Sequence, residues 1–408
     1  MDPRSSAIAP ANPFHPDFRP NPHPLYHYLR SVDPVHRSSL GVWILTRHAD
    51  CLAVLKDPAG VWSHDLRNIE GFATLPAVEA TDSPVYRLMK GMMLFNDPPL
   101  HTRLRGLFGT AFHRGAIDKM RPTVEAIARH LVEAIREKGR FDLIADFAFP
   151  LPLMVIVKML GIPVQDAAAI RRLIDELTPL LEPDLNFEVL ERATWAEFGF
   201  IQYLIELIEE RRAHPGDDLV SALLEADYEG RRFTTWELMM NLILLLIAGQ
   251  ETAVGLVGNG ILALLRSPEQ LELLRNDASM MAAAIEELIR FEPPVHLTGR
   301  IATQDVKMGE VPIAAGEEVV VLIAAANRDP AVYPEPDQLD ITRTDHSHLG
   351  FGHGVHFCLG APLARLEAPI ALSALLSLKN LRLAGEPVWR PSVSIHGLTS
   401  LELEFDVD

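Results

Sequence analysis

The sequence predicts a mostly helical fold with small β-sheets, and three observations carry that prediction. Apolar residues recur at helical spacing over residues 100–112, 124–136, 153–160, 167–181 and 187–212. A long apolar run, 238–265, has the length of a core helix, and β-branched residues gather only in short runs punctuated by glycine and proline.

Along the chain, residues 1–24 are rich in proline and lack the apolar run of a signal peptide or anchor, which predicts an extended arm. Residues 42–46 read as a strand and 49–55 as a helix stopped before Pro58. Residues 61–96 show little periodicity, so they are either a lid or binding segment or an irregular excursion. The five helical segments follow. Asn241, Gln250-Glu251-Thr252 and Asn259 interrupt the run 238–265, whereas a membrane span wants ~20 apolar residues without charge; it reads as a buried core helix. Residues 306–323 gather branched residues around Gly309, Pro312 and Gly316, the pattern of short strands joined by turns, and a further strand pair is expected within 392–405. With neither repeat nor polar linker, the expectation is one domain over 1–408.

The 408 residues are 48% hydrophobic, enough for a large core. A formal net charge of -18 disfavours nucleic acid and anionic membrane as partners. Only Cys51 and Cys358 are present, so no disulfide framework exists and the cytoplasm is the expected compartment.

Chemistry concentrates in Phe351-Gly352-His353-Gly354-Val355-His356-Phe357-Cys358-Leu359-Gly360, a glycine-rich loop ahead of an apolar helical segment from Ala361. Unpaired N–H groups at a helix entrance stabilise a thiolate, the form that binds metal, and glycines let backbone approach a flat ligand. A lone cysteine is more often simply buried. Here no C-x-x-C pair points to zinc and no C-x-x-C-H to covalent haem, whereas a single thiolate suits haem iron.

Those ten residues resemble the F-G-x-G-x-H-x-C-x-G signature of the cytochromes P450 at every specified position. Ala248-Gly249-Gln250-Glu251-Thr252 is similar to the family's A-G-x-[DE]-T, and Glu287-Leu288-Ile289-Arg290 to its E-x-x-R. Asp97 to Arg105, Asp217-Asp218-Leu219 and Asn327-Arg328-Asp329-Pro330 resemble segments of the bacterial branch. The resemblance implies haem b between the long central helix and the helix after the cysteine loop, with Cys358 as axial iron ligand and Phe351, Gly352, Gly360, Ala248 and Gly249 against the cofactor. It makes His101, Arg105, Arg300 and His356 propionate donors, and Thr252 with Glu251 the proton-delivery pair.

Each motif also has a bland explanation. Thr252 alone reads as a hydroxyl bonded back to the Ala248 carbonyl; Gly249, costing ~1 kcal/mol relative to alanine in a helix, favours room for oxygen and substrate. Glu287 and Arg290, three apart, read alone as a surface pair, but the resemblance implies a buried brace. Pro336-Asp337-Gln338-Leu339 lacks the arginine of the family's P-E-R-F, leaving the third partner open, with Arg343 a candidate by nearness alone.

The resemblance further implies insertion of one oxygen atom from O2 into a medium or large apolar metabolite, by hydroxylation or epoxidation. No dinucleotide fingerprint is visible, so electrons from NAD(P)H are expected through a separate ferredoxin or flavodoxin and its reductase. Substrate-lining candidates are the segment 62–94 with Met92 and Met93, then Ile243, Ile247, Val295, His296, Leu398 and Thr399. The alternatives are a haem-thiolate enzyme of another reaction type, such as a peroxygenase or an oxidative coupling enzyme, and a non-catalytic haem module.

Overall fold

A computed structural model describes residues 18, 20–65, 68, 84–181 and 187–407. The chain groups into two compact units, one drawn from residues 1–72, 259–358 and 388–399, the other from 73–258, 359–387 and 400–408.

The first unit is built on a five-stranded sheet in the order Val35–Arg37, Trp43–Leu45, Glu318–Leu322, Leu297–Ala302, Trp62–Ser63. Glu318–Leu322 is its middle strand, parallel to Trp43–Leu45 with Ile44 opposite Val320, and antiparallel to Leu297–Ala302 with Gly299 opposite Val320. A middle strand covered on both faces reads as a continuous apolar run, which is why Val319, Val320, Val321 and Leu322 do not alternate with polar residues. Leu45, Cys51, Val54, Val319 and Val321 share one core cluster, which joins the helix His48–Lys56 to the sheet. That helix ends at Asp57 in a left-handed conformation, one residue before Pro58.

The expected strands of 306–323 form, and they divide: Val306–Met308 pairs with Val311–Ile313, while Glu318–Leu322 joins the large sheet. The strand pair expected within 392–405 needs correction. Leu398–Ser400 and Glu402–Glu404 are strands, but the first pairs with Val388–Trp389 and the second with Arg140–Asp142 and Arg382–Leu383. With only Leu401 between them no turn can form, so each hydrogen-bonds elsewhere.

The second unit is helical. In Arg121–Arg136 the buried residues Val124, Ala128, Val132 and Ile135 make one stripe, and this helix packs on Pro150–Met159 and on Ala361–Leu376. Ala167–Leu177 buries Ile170, Ile174 and Leu177 and packs on Phe187–Ala213. The segment 61–96 is more regular than expected, carrying the helix Pro84–Gly91 and a short turn Met93–Phe95; residues 66–67 and 69–83 lie outside the described residues. Most of the predicted arm, 1–17 and 19, also lies outside them, and its end is helical from His23.

The long helix Thr235–Leu265 contributes to both units. By length and apolarity it passes as a membrane span, yet 72% of its most apolar window is buried, as a core helix requires. Several of its polar side chains are anchored, although Gln250 Oε1 and Asn259 Oδ1 have no hydrogen-bond partner among the described residues. Asn241 donates to the Gly91 and Glu237 carbonyls and accepts from the Met93 N–H, and Gln250 donates to the Phe149 carbonyl at 2.9 Å.

Candidate active site

The two cysteines differ in kind. Cys51 is fully buried, its thiol 3.4 Å from the Leu45 carbonyl, and burial pushes its ionisation far up. Cys358 is half-buried, as are Phe351, Gly352, His356, Leu359 and Gly360 of its loop, and lies three residues before the helix Ala361–Leu376.

That loop is closed on itself. The Cys358 N–H donates to the Phe351 carbonyl at 2.8 Å, Gly352 N–H to Leu349 at 2.8 Å and Phe357 N–H to Gly354 at 3.1 Å. Gly352 and Gly354 both hold φ of 68°, open to glycine at little cost. Gly354 is doubly required, because a Cβ there would stand 2.3 Å from the Leu55 carbonyl oxygen, at the end of the helix His48–Lys56. At Gly352 the nearest atom would be 3.7 Å away. Gly352→Ala is therefore expected to cost only the ~1–2 kcal/mol of the left-handed conformation, and Gly354→Ala distinctly more, because backbone must also shift. Urea unfolding of the two variants checks the order.

On the long helix, nearly all residues from Leu238 to Leu265 are buried, but Leu245, Ala248, Gly249, Thr252 and Ala253 are accessible. Their spacing of three and four makes one open stripe on an otherwise covered helix. Thr252 Oγ donates to the Ala248 carbonyl at 2.8 Å, and Glu251 beside it is buried. Gly249 serves packing as well as openness: a Cβ there would press Ile156 Cδ1 at 3.2 Å, so the tight side of this glycine faces the helix Pro150–Met159.

The expected cationic donors are distributed over both units. His101, 2% exposed, and half-buried Arg105 stand one turn apart on Leu100–Ala111. Arg300, 5% exposed on Leu297–Ala302, donates to Thr298 Oγ and the Gly299 carbonyl. His356, half-buried in the cysteine loop, meets the His64 ring edge-on at 5.1 Å. One accessible sulfur ligand, glycines that leave a bare backbone, and strong cationic donors are the donor set an iron porphyrin with two carboxylates calls for.

Within the helical unit, Met92 and Ile247 line one small cavity with Leu88, Met89, Phe95 and Leu244 among others, every lining residue apolar. Periodicity could not reveal this lining, since its residues come from three separate helices and the two short turns Met93–Phe95 and Thr178–Leu181, with Met92 just before the first turn. Ile243 and Met93 are buried but do not line it. In the first unit Val295 packs against the sheet core. His296, expected beside the substrate, is instead buried in an aromatic cluster with His23, Tyr26 and His396. Leu398 is 1% exposed, and Thr399 donates to the Val388 carbonyl across a strand pair.

Glu287 and Arg290 form a buried bidentate pair at 2.6 and 2.7 Å, each side chain 1% exposed. Arg290 also donates to the carbonyls of Asn327, Pro336 and Gln338, and Glu287 accepts from the Asp340 N–H. The missing third partner is Arg343, whose Nε reaches Glu287 Oε1 at 3.3 Å. The Asn327-Arg328-Asp329 turn is fixed in the same unit, Asn327 accepting from Leu349 N–H and Asp329 from His48 N–H.

The family model "Cytochrome P450" matches residues 23–391. The chain is 40% identical over 401 residues to cytochrome P450 monooxygenase PikC of Streptomyces venezuelae, covering 95% of this chain and 92% of that protein. It is also 40% identical over 393 residues to vitamin D(3) 25-hydroxylase of Pseudonocardia autotrophica, covering 94% of each. Among solved structures, P450BioI in complex with an acyl carrier protein ligated to hexadec-9Z-enoic acid superposes at a TM-score of 0.89 with 35% identity, covering 96% of this chain and 100% of that one. Fold, cysteine loop and relatives agree, and the chain belongs to the cytochrome P450 family, as an enzyme of its monooxygenase class.

Proposed function

We propose that this enzyme inserts one oxygen atom from O2 into a medium or large apolar metabolite, by hydroxylation or epoxidation. The observation that carries this reading is the open stripe of the long helix, where Thr252 sits on an accessible face with Glu251 buried next to it. A protein that merely holds haem needs the cysteine loop but no alcohol and acid inside an apolar helix, where an isolated carboxylate costs several kcal/mol or shifts its pKa.

The bound haem b would supply oxygen binding and activation. Cys358 would hold its iron, presented by a loop whose hydrogen bonds and left-handed glycines set the sulfur's position. Phe351, Gly352, Gly360, Ala248 and Gly249 would border it, and His101, Arg105, Arg300 and His356 would neutralise its propionates. Thr252 Oγ holds its proton in the bond to the Ala248 carbonyl. Rotation about χ1 aims that proton at the open face, and Glu251 replenishes it.

Electrons come from NAD(P)H through a separate ferredoxin or flavodoxin and its reductase, in the cytoplasm. The substrate class is a polyketide, terpenoid, steroid or fatty acid derivative; what supports it is the apolar character of the side chains around Met92 and Ile247, not the size of the small cavity between them. A fatty acyl chain, as in the P450BioI complex, meets the same requirement.

The test is turnover with ferredoxin, reductase and NADPH under labelled dioxygen, using substrates first selected by spin-state titration. One labelled atom in the product is expected; a product without label, or turnover by peroxide alone, contradicts the reading. Thr252→Ala is expected to keep NADPH oxidation while product per NADPH falls several-fold and peroxide rises. Unchanged coupling removes Thr252 from this role.

A further inference from the structure

Glu292, His296, His396 and His23 come together in the first unit. An isolated β-bridge pairs Val295 with Ile395, His296 N–H donates to the Ser394 carbonyl at 2.9 Å and His396 N–H to the Pro294 carbonyl at 2.8 Å. This register brings the His296 and His396 rings into a stack at 4.2 Å, and Trp389 also stacks on His396 at 4.2 Å. Asn259 of the long helix fixes the His396 carbonyl at 3.0 Å. Glu292, just past the helix Met281–Phe291, sets Oε2 3.8 Å from His396 Nε2 and Oε1 3.3 Å from His23 Nε2.

One ligand atom each from Glu292, His296 and His396 lies within 4.8 Å of the other two. His296 is 2% exposed and its Nε2 has no hydrogen-bond partner among the described residues; the same holds for Nδ1 of His23, 7% exposed, whose Nε2 faces Glu292 Oε1 at 3.3 Å. A buried polar atom left unpartnered costs about 1–3 kcal/mol, and apolar side chains would fill this space without that cost.

A cation shared by the imidazoles and the carboxylate satisfies all of them. Two or three imidazole nitrogens with one carboxylate suit zinc, whereas calcium and magnesium prefer an oxygen shell. With zinc bonds of about 2.0–2.2 Å, tetrahedral donors stand roughly 3.3–3.5 Å apart, so the set must close by about 1.5 Å, and the His296 and His396 rings, whose lone pairs lie in the ring planes, must turn out of their 23° stack to point at one ion. Arg328 is the one cation against Glu292 among the described residues. It donates to Oε1 at 2.6 Å and to the Phe291 carbonyl, and its other nitrogen reaches Asp337. It orients the carboxylate from behind, as outer-shell partners of metal ligands do, and leaves Oε2 on the His396 side.

We propose that Glu292, His296 and His396, with His23 as a fourth donor, form a zinc site that ties the end of Met281–Phe291 to the segment 388–399 and to the helix His23–Val32. The test uses tag-free holoprotein stripped of loosely held metal by a chelator, then dialysed against Zn²⁺, with zinc counted beside iron. One zinc per chain is expected, with imidazole nitrogen and carboxylate oxygen, and no sulfur, in its X-ray absorption.

His396→Phe keeps a ring against Trp389, and Glu292→Gln keeps the shape. Each is expected to weaken zinc binding at least 10–100-fold (roughly the effect of losing even an outer-shell partner) with haem content unchanged. His214→Ala, at an exposed histidine elsewhere, is expected to leave zinc binding as it was. Failure of the unsubstituted protein to hold stoichiometric zinc, or sulfur in the zinc shell, overturns the proposal without any variant. Equal zinc affinity in wild type and His396→Phe overturns it as well.

Discussion

Glu287→Ala is expected to lower folding stability by about 3–5 kcal/mol, the usual effect of removing one partner of a buried ion pair. Arg290 would keep its charge with side-chain exposure of 1% and only the carbonyls of Asn327, Pro336 and Gln338 to answer it, and the Asp340 N–H and Arg343 would lose their acceptor. Since whole domains are stable by only about 5–15 kcal/mol, the variant is expected to give little folded haem protein. Replacing both residues by methionine removes the orphaned charge, so the double variant should be less damaged than the sum of the single ones. Urea midpoints of the wild type, Glu287→Met, Arg290→Met and the double variant decide this, and a loss under about 1 kcal/mol for Glu287→Ala would mean the pair behaves as a surface bridge.

Cys358→Ser is expected to abolish monooxygenase turnover while leaving the fold intact. The side chain is half-buried, and the loop is held by the backbone bond from Cys358 N–H to Phe351 and by the glycine conformations, none of which needs sulfur. Cys51→Ser serves as the control for losing a thiol: that sulfur is buried in the sheet core, so its loss should show in stability and not in the haem spectrum. Retained turnover in Cys358→Ser would remove the cysteine from the site.

What the sequence made legible was local. The helical stripes and the glycine-rich loop around Cys358 depend on spacing within a few residues, and the structure shows them where spacing put them. Partners distant in sequence were not legible in the same way. Leu398–Ser400 and Glu402–Glu404 are strands by pattern, but nothing in the pattern says that they pair with Val388–Trp389 and Arg140–Asp142.

Arg343 was nameable only as a neighbour, because the departure at Pro336 to Leu339 hides which cation reaches Glu287. The surroundings of His296 were hidden for the same reason. Its neighbour in sequence, Val295, packs on the sheet core, while the ring itself turns to His396, a hundred residues later, through a β-bridge that no local pattern announces. Gly249 was read for openness alone, yet the side that a Cβ would occupy is pressed by Ile156, a contact between two helices far apart in the chain.

The Cys358 sulfur, as thiolate, is expected to ligate haem iron. The absorption spectrum of the purified protein after reduction and exposure to carbon monoxide reports this ligand. A strongly red-shifted Soret band is expected, and it should disappear in Cys358→Ser. A wild-type carbonyl adduct with the unshifted band of nitrogen ligation, or a protein that takes up no haem, would contradict it.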